Sequence, residues 1–221
     1  MSHQSFLLLA LQIFAAAVPV LLAITLHEAA HGYVARYFGD NTAEREGRIT
    51  LNPLRHIDLV GTIILPLIIF LASRELLGGH GMLFGWAKPV PVNFGRLRRP
   101  KADMLWVAAA GPLANLFMML VWALVYGVVT GVGGAGSVHH YLLAMAIIGL
   151  QINGVLMLLN LLPIPPLDGG RIVVSLLPNR LAWQFLRIEP FGMVIVIVLL
   201  LTGVLGAILR PPVQMLMMFV R

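Results

Sequence analysis

Long apolar runs separated by short polar stretches set the pattern of this chain. Residues 6–24 are apolar except for Gln12, and a helical pattern continues to about Phe38, where Gly39-Asp40-Asn41 stops it. This first segment contains Pro19, a candidate kink. Residues 41–58 (NTAEREGRITLNPLRHID) are polar, and GRITLNP alternates enough to predict a short strand. Residues 59–73 are apolar for only 15 residues with Pro66 inside, which suits a re-entrant or tilted hairpin. Lys88-Pro89-Val90-Pro91-Val92 cannot be helix because both prolines block it, so it reads as an extended edge strand. A third segment runs from Met104 to about Val132, with Asn115 its only strongly polar residue. A fourth spans Tyr141 to Leu162 and is interrupted by Gln151, Asn153 and Asn160. PIPPLDGGRI ends it, and a short amphipathic piece is expected from Arg171 to Leu177. A fifth segment covers Phe191 to Leu209, followed by a methionine-rich tail, and no internal repeat is evident. The fold class expected is an all-α polytopic membrane protein. It has about five to six transmembrane or re-entrant segments, with short membrane-associated β-strands between the first and third.

Composition agrees. The 221 residues are 59% hydrophobic and 11% charged, against about 25% charged for a soluble domain. Mean hydropathy is +0.92. The apolar runs leave no room for a large extramembrane domain, so residues 1–221 are expected to form one integral membrane domain. With no cysteine, disulfides, thiolate zinc sites and cysteine nucleophiles are excluded. The net charge of +6 does not point to nucleic acid, because the Lys and Arg residues lie in short loops between apolar runs. Residues 6–17 resemble a signal-peptide core, but MSHQS lacks a basic region and the apolar run continues to Ile24, which favours an uncleaved helix. Stretch 131–140 has no Lys or Arg, whereas 36–58 has four, 88–101 has five and 171–187 has three. The charged loops belong in the cytoplasm. The first segment then runs inward, the third outward and the fourth inward, provided that residues 59–87 return to the side they left.

The chemistry concentrates in AITLHEAAHGYVARYFGD (Ala23 to Asp40). His27-Glu28-Ala29-Ala30-His31 is H-E-x-x-H on a predicted helix, and a four-residue spacing projects both imidazoles from one face. That spacing lets two nitrogens bind one Zn²⁺ at about 2.0–2.1 Å. Glu28 is too near in sequence to be a third ligand and suits the general base that takes a proton from the attacking water. Ionisable groups at membrane depth are expensive and usually functional, which counts against a chance cluster or a purely structural one. A third ligand is needed. His3, His56, His80, His139 and His140 are candidates, as are a few carboxylates. His139 and His140 fall in the outside loop, and His56 lies in a polar loop. Asp168 is better placed, because it follows the fourth segment, which ends on the side where the first one ends. Its flanks, PIPPL and GG, break the helix, and irregular backbone at this depth is tolerated where it lines a cavity or is buried in protein.

LHEAAHGYVARYFGD, AAAGPLANL and LNLLPIPPLDGGRI together resemble the site-2 protease family of intramembrane zinc metalloproteases, peptidase M50. They occur in the family's order across residues 26–172, and the compact form without PDZ or CBS modules resembles a small bacterial branch. The resemblance implies that His27, His31 and Asp168 hold one Zn²⁺ per chain and that Glu28 is the general base. It also implies that Asn115, in G-x-x-x-N with Gly111, and Asn160, eight residues before Asp168, lie near the site. Asn115 could donate to the oxyanion of the reaction or hold the substrate backbone, or it could simply join two helices. The implied activity is hydrolysis of transmembrane substrate proteins near the cytoplasmic face of a bacterial inner membrane, by a multi-pass protein embedded in lipid. The catalytic core would cover about residues 6–172, with an additional C-terminal helix over about 191–209. An exposed strand edge would help by pairing with an unwound substrate, and GRITLNP and KPVPV are candidates. The basic run Arg96 to Lys101 suits a juxtamembrane anchor on anionic lipid. The rival readings are a zinc-binding membrane transporter and a non-proteolytic scaffold that binds membrane helices. The intact Glu28 argues against the scaffold, which needs no base.

Overall fold

The structure, a computed structural model, describes residues 3–65, 67–68, 71, 85–134 and 136–218. Helix α1 (His3–Tyr37) runs unbroken through Pro19. A single turn, α2 (Thr42–Arg45), follows. Next come the long α3 (Pro100–Val132) and α4 (Ser137–Asn160), then α5 (Asp168–Leu176), α6 (Asn179–Leu186), α7 (Glu189–Leu201) and α8 (Val204–Met218). Helices α1, α3 and α4 pack against one another, α5 docks on α3, and α8 lies against α4.

Among the described residues, three helices are long and apolar enough to cross a membrane: Phe14–Tyr37 within α1, α3 and α4. A fourth span is possible if α6 and α7, bent by 59° at their junction, are counted together. Helix α3 shows how such a span divides its faces. Val107, Gly111, Asn115, Met118 and Trp122 point inward at helical spacing. Leu113, Phe117, Leu120 and Leu124 point outward and are more than half exposed. An apolar outer face of this kind is solvated by lipid tails. The inner face packs Met118, Met119 and Trp122 on Ala146 and Leu150 of α4, with Leu26 of α1 closing the cluster. A second cluster joins Ala35, Leu97 and Val107, with Phe38, Val92 and Phe94 around it.

The two expected β-strands do not form: among the described residues there is no strand. GRITLNP bends and leads into a 3₁₀ turn over Pro53–His56, because the Asn52 side chain accepts from the Leu54 N–H and Pro53 sits at the turn's first position. KPVPV is extended but has no strand partner. Its groups on one side are taken by other acceptors and donors. Trp86 N–H donates to Gly61 O (3.0 Å) and Lys88 N–H to His56 O (2.8 Å). Val90 N–H donates to the Glu28 carboxylate (2.8 Å). The buried Arg48 guanidinium donates to the carbonyls of Arg55, Lys88 and Pro89. Pro89 and Pro91 have no N–H to offer a neighbouring strand. Side chains thus do here what a β-ladder would otherwise do.

The expected fifth segment over 191–209 is also divided: α7 and α8 are separated at Thr202-Gly203, with Gly203 at φ +76°. At 13 residues, α7 is about 20 Å long. The amphipathic piece expected from Arg171 is α5, which begins three residues earlier, at Asp168 itself. Of the expected hairpin over 59–73, residues 66, 69–70 and 72–73 lie outside the described residues; its start, Leu59–Ile64, is a π-helical turn capped by Asp58.

Asp40 fastens the end of α1. It is fully buried. Its carboxylate accepts from the N–H and hydroxyl of Thr42 and from the Asn93 N–H at 2.6 Å. Burial alone would raise its pKa, but these donors outweigh it and hold the carboxyl below its ordinary 3.8. The folded state therefore gains from the ionised form above pH 3.8, and that gain is lost as pH falls through the lower folded value. Asp40→Ala is expected to destabilise the protein by about 2 kcal/mol. It should also expose the 85–93 segment to proteolysis in detergent, which limited digestion followed by mass spectrometry would detect.

Candidate metal centre

His27 and His31 lie one turn apart on α1, both buried. Each is held from behind by α3. His27 Nδ1 lies 2.6 Å from the Asn115 side-chain oxygen. His31 Nδ1 lies 2.7 Å from the Val107 carbonyl. Neither partner oxygen carries a proton, so each Nδ1–H is the donor. In the neutral imidazole the Nε2 atom then presents a lone pair.

The two Nε2 atoms face the same point. They are 3.2 Å apart. Asp168 Oδ2 lies 3.3 Å from His27 Nε2 and 3.4 Å from His31 Nε2. The three atoms thus form a nearly equilateral triangle, and with both rings neutral each presents a lone pair to it. Among the described residues, Asp168 Oδ2 is buried without a hydrogen-bond donor. Ligands bound tetrahedrally at 2.0–2.1 Å lie about 3.3 Å from one another, so the triangle has the dimensions of one face of a zinc tetrahedron. Among the described residues these three are the ones whose ligand atoms converge in this way. Their geometry fits a divalent cation with one position left for another group.

The backbone makes room for that cation. A Cβ on Gly111 would lie 2.4 Å from His31 Nε2 and 2.6 Å from His27 Nε2. The bare α3 backbone is therefore the floor of the site. Asp168 reaches it as the first residue of α5, after tight turns at 161–167 that include a cis Pro165–Pro166 peptide. A Cβ on Gly169 would lie 2.3 Å from the carbonyl oxygens of Leu161 and Leu162. Only glycine lets the turn press so closely on the start of α5.

The remaining residues singled out in the sequence are placed differently. Glu28 is half-buried beside the triangle on α1, with Oε2 accepting from Val90 N–H. Asn115 is fully buried, and its amide nitrogen donates to Ala23 O (3.2 Å) and to Asn153 Oδ1 (3.0 Å). Asn160 sits on the last turn of α4, where its amide donates to Leu156 O at 3.0 Å. His56 is buried against Thr50 O, and His139 and His140 lie at the start of α4. His80 is outside the described residues. In the sequence Asn153 stands only as an interruption of an apolar run. Its one signal was an uncharged polar side chain seven residues before Asn160, on the same helical face.

A family model described as Peptidase family M50 matches residues 127–203. "Putative zinc metalloprotease YwhC" of Bacillus subtilis is 36% identical over 200 residues, covering 88% of this chain and 83% of that protein. "Putative zinc metalloprotease Rip2" of Mycolicibacterium smegmatis is 31% identical over 187 residues, covering 84% of this chain and 66% of that protein. The Mycobacterium tuberculosis protein of the same name is 31% identical over 190 residues, with the same coverage. No solved structure matches.

Gly111→Ala is expected to weaken zinc binding on the order of 100-fold, because the added methyl sits where the ligand atoms converge. Helix content by circular dichroism should stay unchanged. Chelator competition on the purified protein measures the affinity.

Proposed function

The chain belongs to peptidase family M50 as an intramembrane zinc metalloprotease, and from that premise we propose that it hydrolyses peptide bonds in the transmembrane segments of other proteins, near the cytoplasmic face of a bacterial inner membrane. The observation that carries this reading is the convergence of His27, His31 and Asp168 inside a bundle of membrane-spanning helices. The motif lies six to ten residues before Tyr37, the end of the span, or about 9–15 Å along the helix. That depth suits a bond buried in lipid and close to one surface. The orientation is supported by charge. Arg36, Arg45, Arg48, Arg96, Arg98, Arg99 and Lys101 gather between the end of α1 and the start of α3, and the connection from α3 to α4 carries no Lys or Arg.

We assign His27, His31 and Asp168 as the ligands of one Zn²⁺. When bound, the metal supplies Lewis acidity and lowers the pKa of water. Glu28 is the general base, taking a proton from the attacking water and delivering it to the leaving amine nitrogen. The Val90 N–H orients its carboxylate by binding one oxygen, leaving the other for the water. Asn115 acts through His27, because its side-chain oxygen faces the ring and its amide hydrogens are used by Ala23 and Asn153. Asn160, half-buried at the end of α4 where the turns leading to Asp168 begin, is assigned to the substrate side of the site.

Purified Glu28→Gln is expected to keep one zinc per chain and to cleave a single-span test substrate on the order of 10³-fold more slowly. Undiminished cleavage by this variant removes Glu28 from the chemistry. Asp168→Ala should lose zinc, and unchanged metal content there removes Asp168 from the ligand set. Because the natural chain has no cysteine, single substitutions report orientation cleanly. Gly95→Cys should react with a membrane-impermeant thiol reagent only from the cytoplasmic side, and Ser137→Cys only from the opposite side.

A further inference from the structure

Asn153 is fully buried in the middle of α4, a helix of mean hydropathy 2.2. Its hydrogen bonds run to Asn115 and Gly149 and not to the three proposed ligands. Its side-chain oxygen accepts from Asn115 Nδ2 at 3.0 Å, and its own amide donates to Gly149 O at 2.8 Å. Asn115 gives its other amide hydrogen to Ala23 O on α1 at 3.2 Å. The two hydrogens of Asn115 therefore end on carbonyl oxygens from two different helices.

This arrangement decides which end of the Asn115 amide meets His27. If the amide were turned over, its oxygen would face two acceptors and its NH₂ would face the His27 Nδ1–H. All three contacts would become repulsive. With Asn153 and Ala23 in place, the oxygen is driven toward His27. His27 then carries its proton on Nδ1 and presents the Nε2 lone pair to the metal. The short approach of the two helices makes the contact possible: one turn along α4 from Asn153, Gly149 lies directly under the Trp122 indole of α3.

We infer that Asn153 is a positioning residue for the metal centre, acting through Asn115 to fix the tautomer and orientation of His27. The inference rests on the assignment of His27 as a zinc ligand. It distinguishes Asn153 from an ordinary interhelical polar contact, because its effect must travel through one named side chain.

The test is zinc affinity, measured by chelator competition on the full chain in detergent, together with the visible absorption of the Co²⁺-substituted protein. Asn153→Leu removes the acceptor at similar size, and Asn153→Ala does so without added bulk should the leucine variant not fold. Either is expected to weaken zinc binding by about 10- to 100-fold and to alter the Co²⁺ spectrum. In an Asn115→Ala background the same substitution should change neither. Met119→Ala disturbs the same α3–α4 contact outside the polar chain and should lower the melting temperature while leaving zinc affinity intact. Asn153→Asp, which keeps an oxygen facing Asn115, should bind zinc more tightly than Asn153→Leu. Wild-type zinc affinity in both the Leu and Ala variants overturns the inference. So does an equal loss in the Asn115→Ala background, or an equal loss from Met119→Ala. A wild-type chain that binds no zinc overturns instead the metal assignment on which the inference stands.

Discussion

Two imidazole nitrogens and a carboxylate oxygen, all presenting lone pairs, are held 3.2–3.4 Å apart inside a helix bundle. In a poorly polarisable interior such a cluster repels itself, and a buried polar atom without a partner is destabilising. The fold must therefore force these atoms together and leave space for a positive charge among them. Much of the architecture follows from that constraint. Helix α3 fixes both histidine rings from behind, through Asn115 and the Val107 carbonyl, and its glycine at 111 clears the space in front. The turns after α4 and the glycine at 169 deliver Asp168 to the third corner. The packing of α1, α3 and α4 and the docking of α5 on α3 are thus the framework of one triangle.

The other organising device is a set of charged side chains that stand in for a sheet. The extended segment at 85–93 is attached to α1 and the 53–61 region by Glu28, Asp40 and Arg48, which engage its amides and carbonyls one at a time. Hydrogen bonds to charged groups are stronger than neutral ones, so three side chains suffice where a ladder would use many weaker bonds. The attachment also joins the ends of two spans: Arg98 N–H donates to Phe38 O at 3.0 Å, bringing the entry of α3 beside the exit of α1.

The features that read clearly from sequence were those with a period or a fixed offset. The apolar runs marked α1, α3 and α4, and the four-residue spacing in His27-Glu28-Ala29-Ala30-His31 put two rings on one face. Asp168 was legible because proline and glycine on both sides announced a break at the right end of α4. The strands were misread because alternation in GRITLNP and proline in KPVPV indicate extended backbone without saying what takes its hydrogen bonds. For KPVPV the answer lies with Arg48, inside GRITLNP itself and 40 positions from Lys88, and with Glu28, 62 positions from Val90. The expected helix over 191–209 was divided because one glycine at positive φ breaks an apolar run without changing its hydropathy. Asn153 reads as an interruption and not as a partner, since its contact with Asn115 joins residues 38 positions apart.

Proline placement in KPVPV has a consequence for the proposed base. Only Lys88, Val90 and Val92 in this run carry an N–H, and these point to one side of an extended chain. A slip of one residue would bring the nitrogen of Pro89 or Pro91 to Glu28, with no hydrogen to give. A slip of two residues would restore an amide there but would pull Asn93 away from Asp40, whose carboxylate holds its N–H at 2.6 Å. The two prolines and the two carboxylates of the α1 region together permit one register. Val90 N–H therefore meets Glu28 at a fixed place, and the carboxylate beside His27 is oriented by a segment more than sixty residues away in sequence. The alternation that suggested an edge for pairing with another strand instead secures the position of a single side chain.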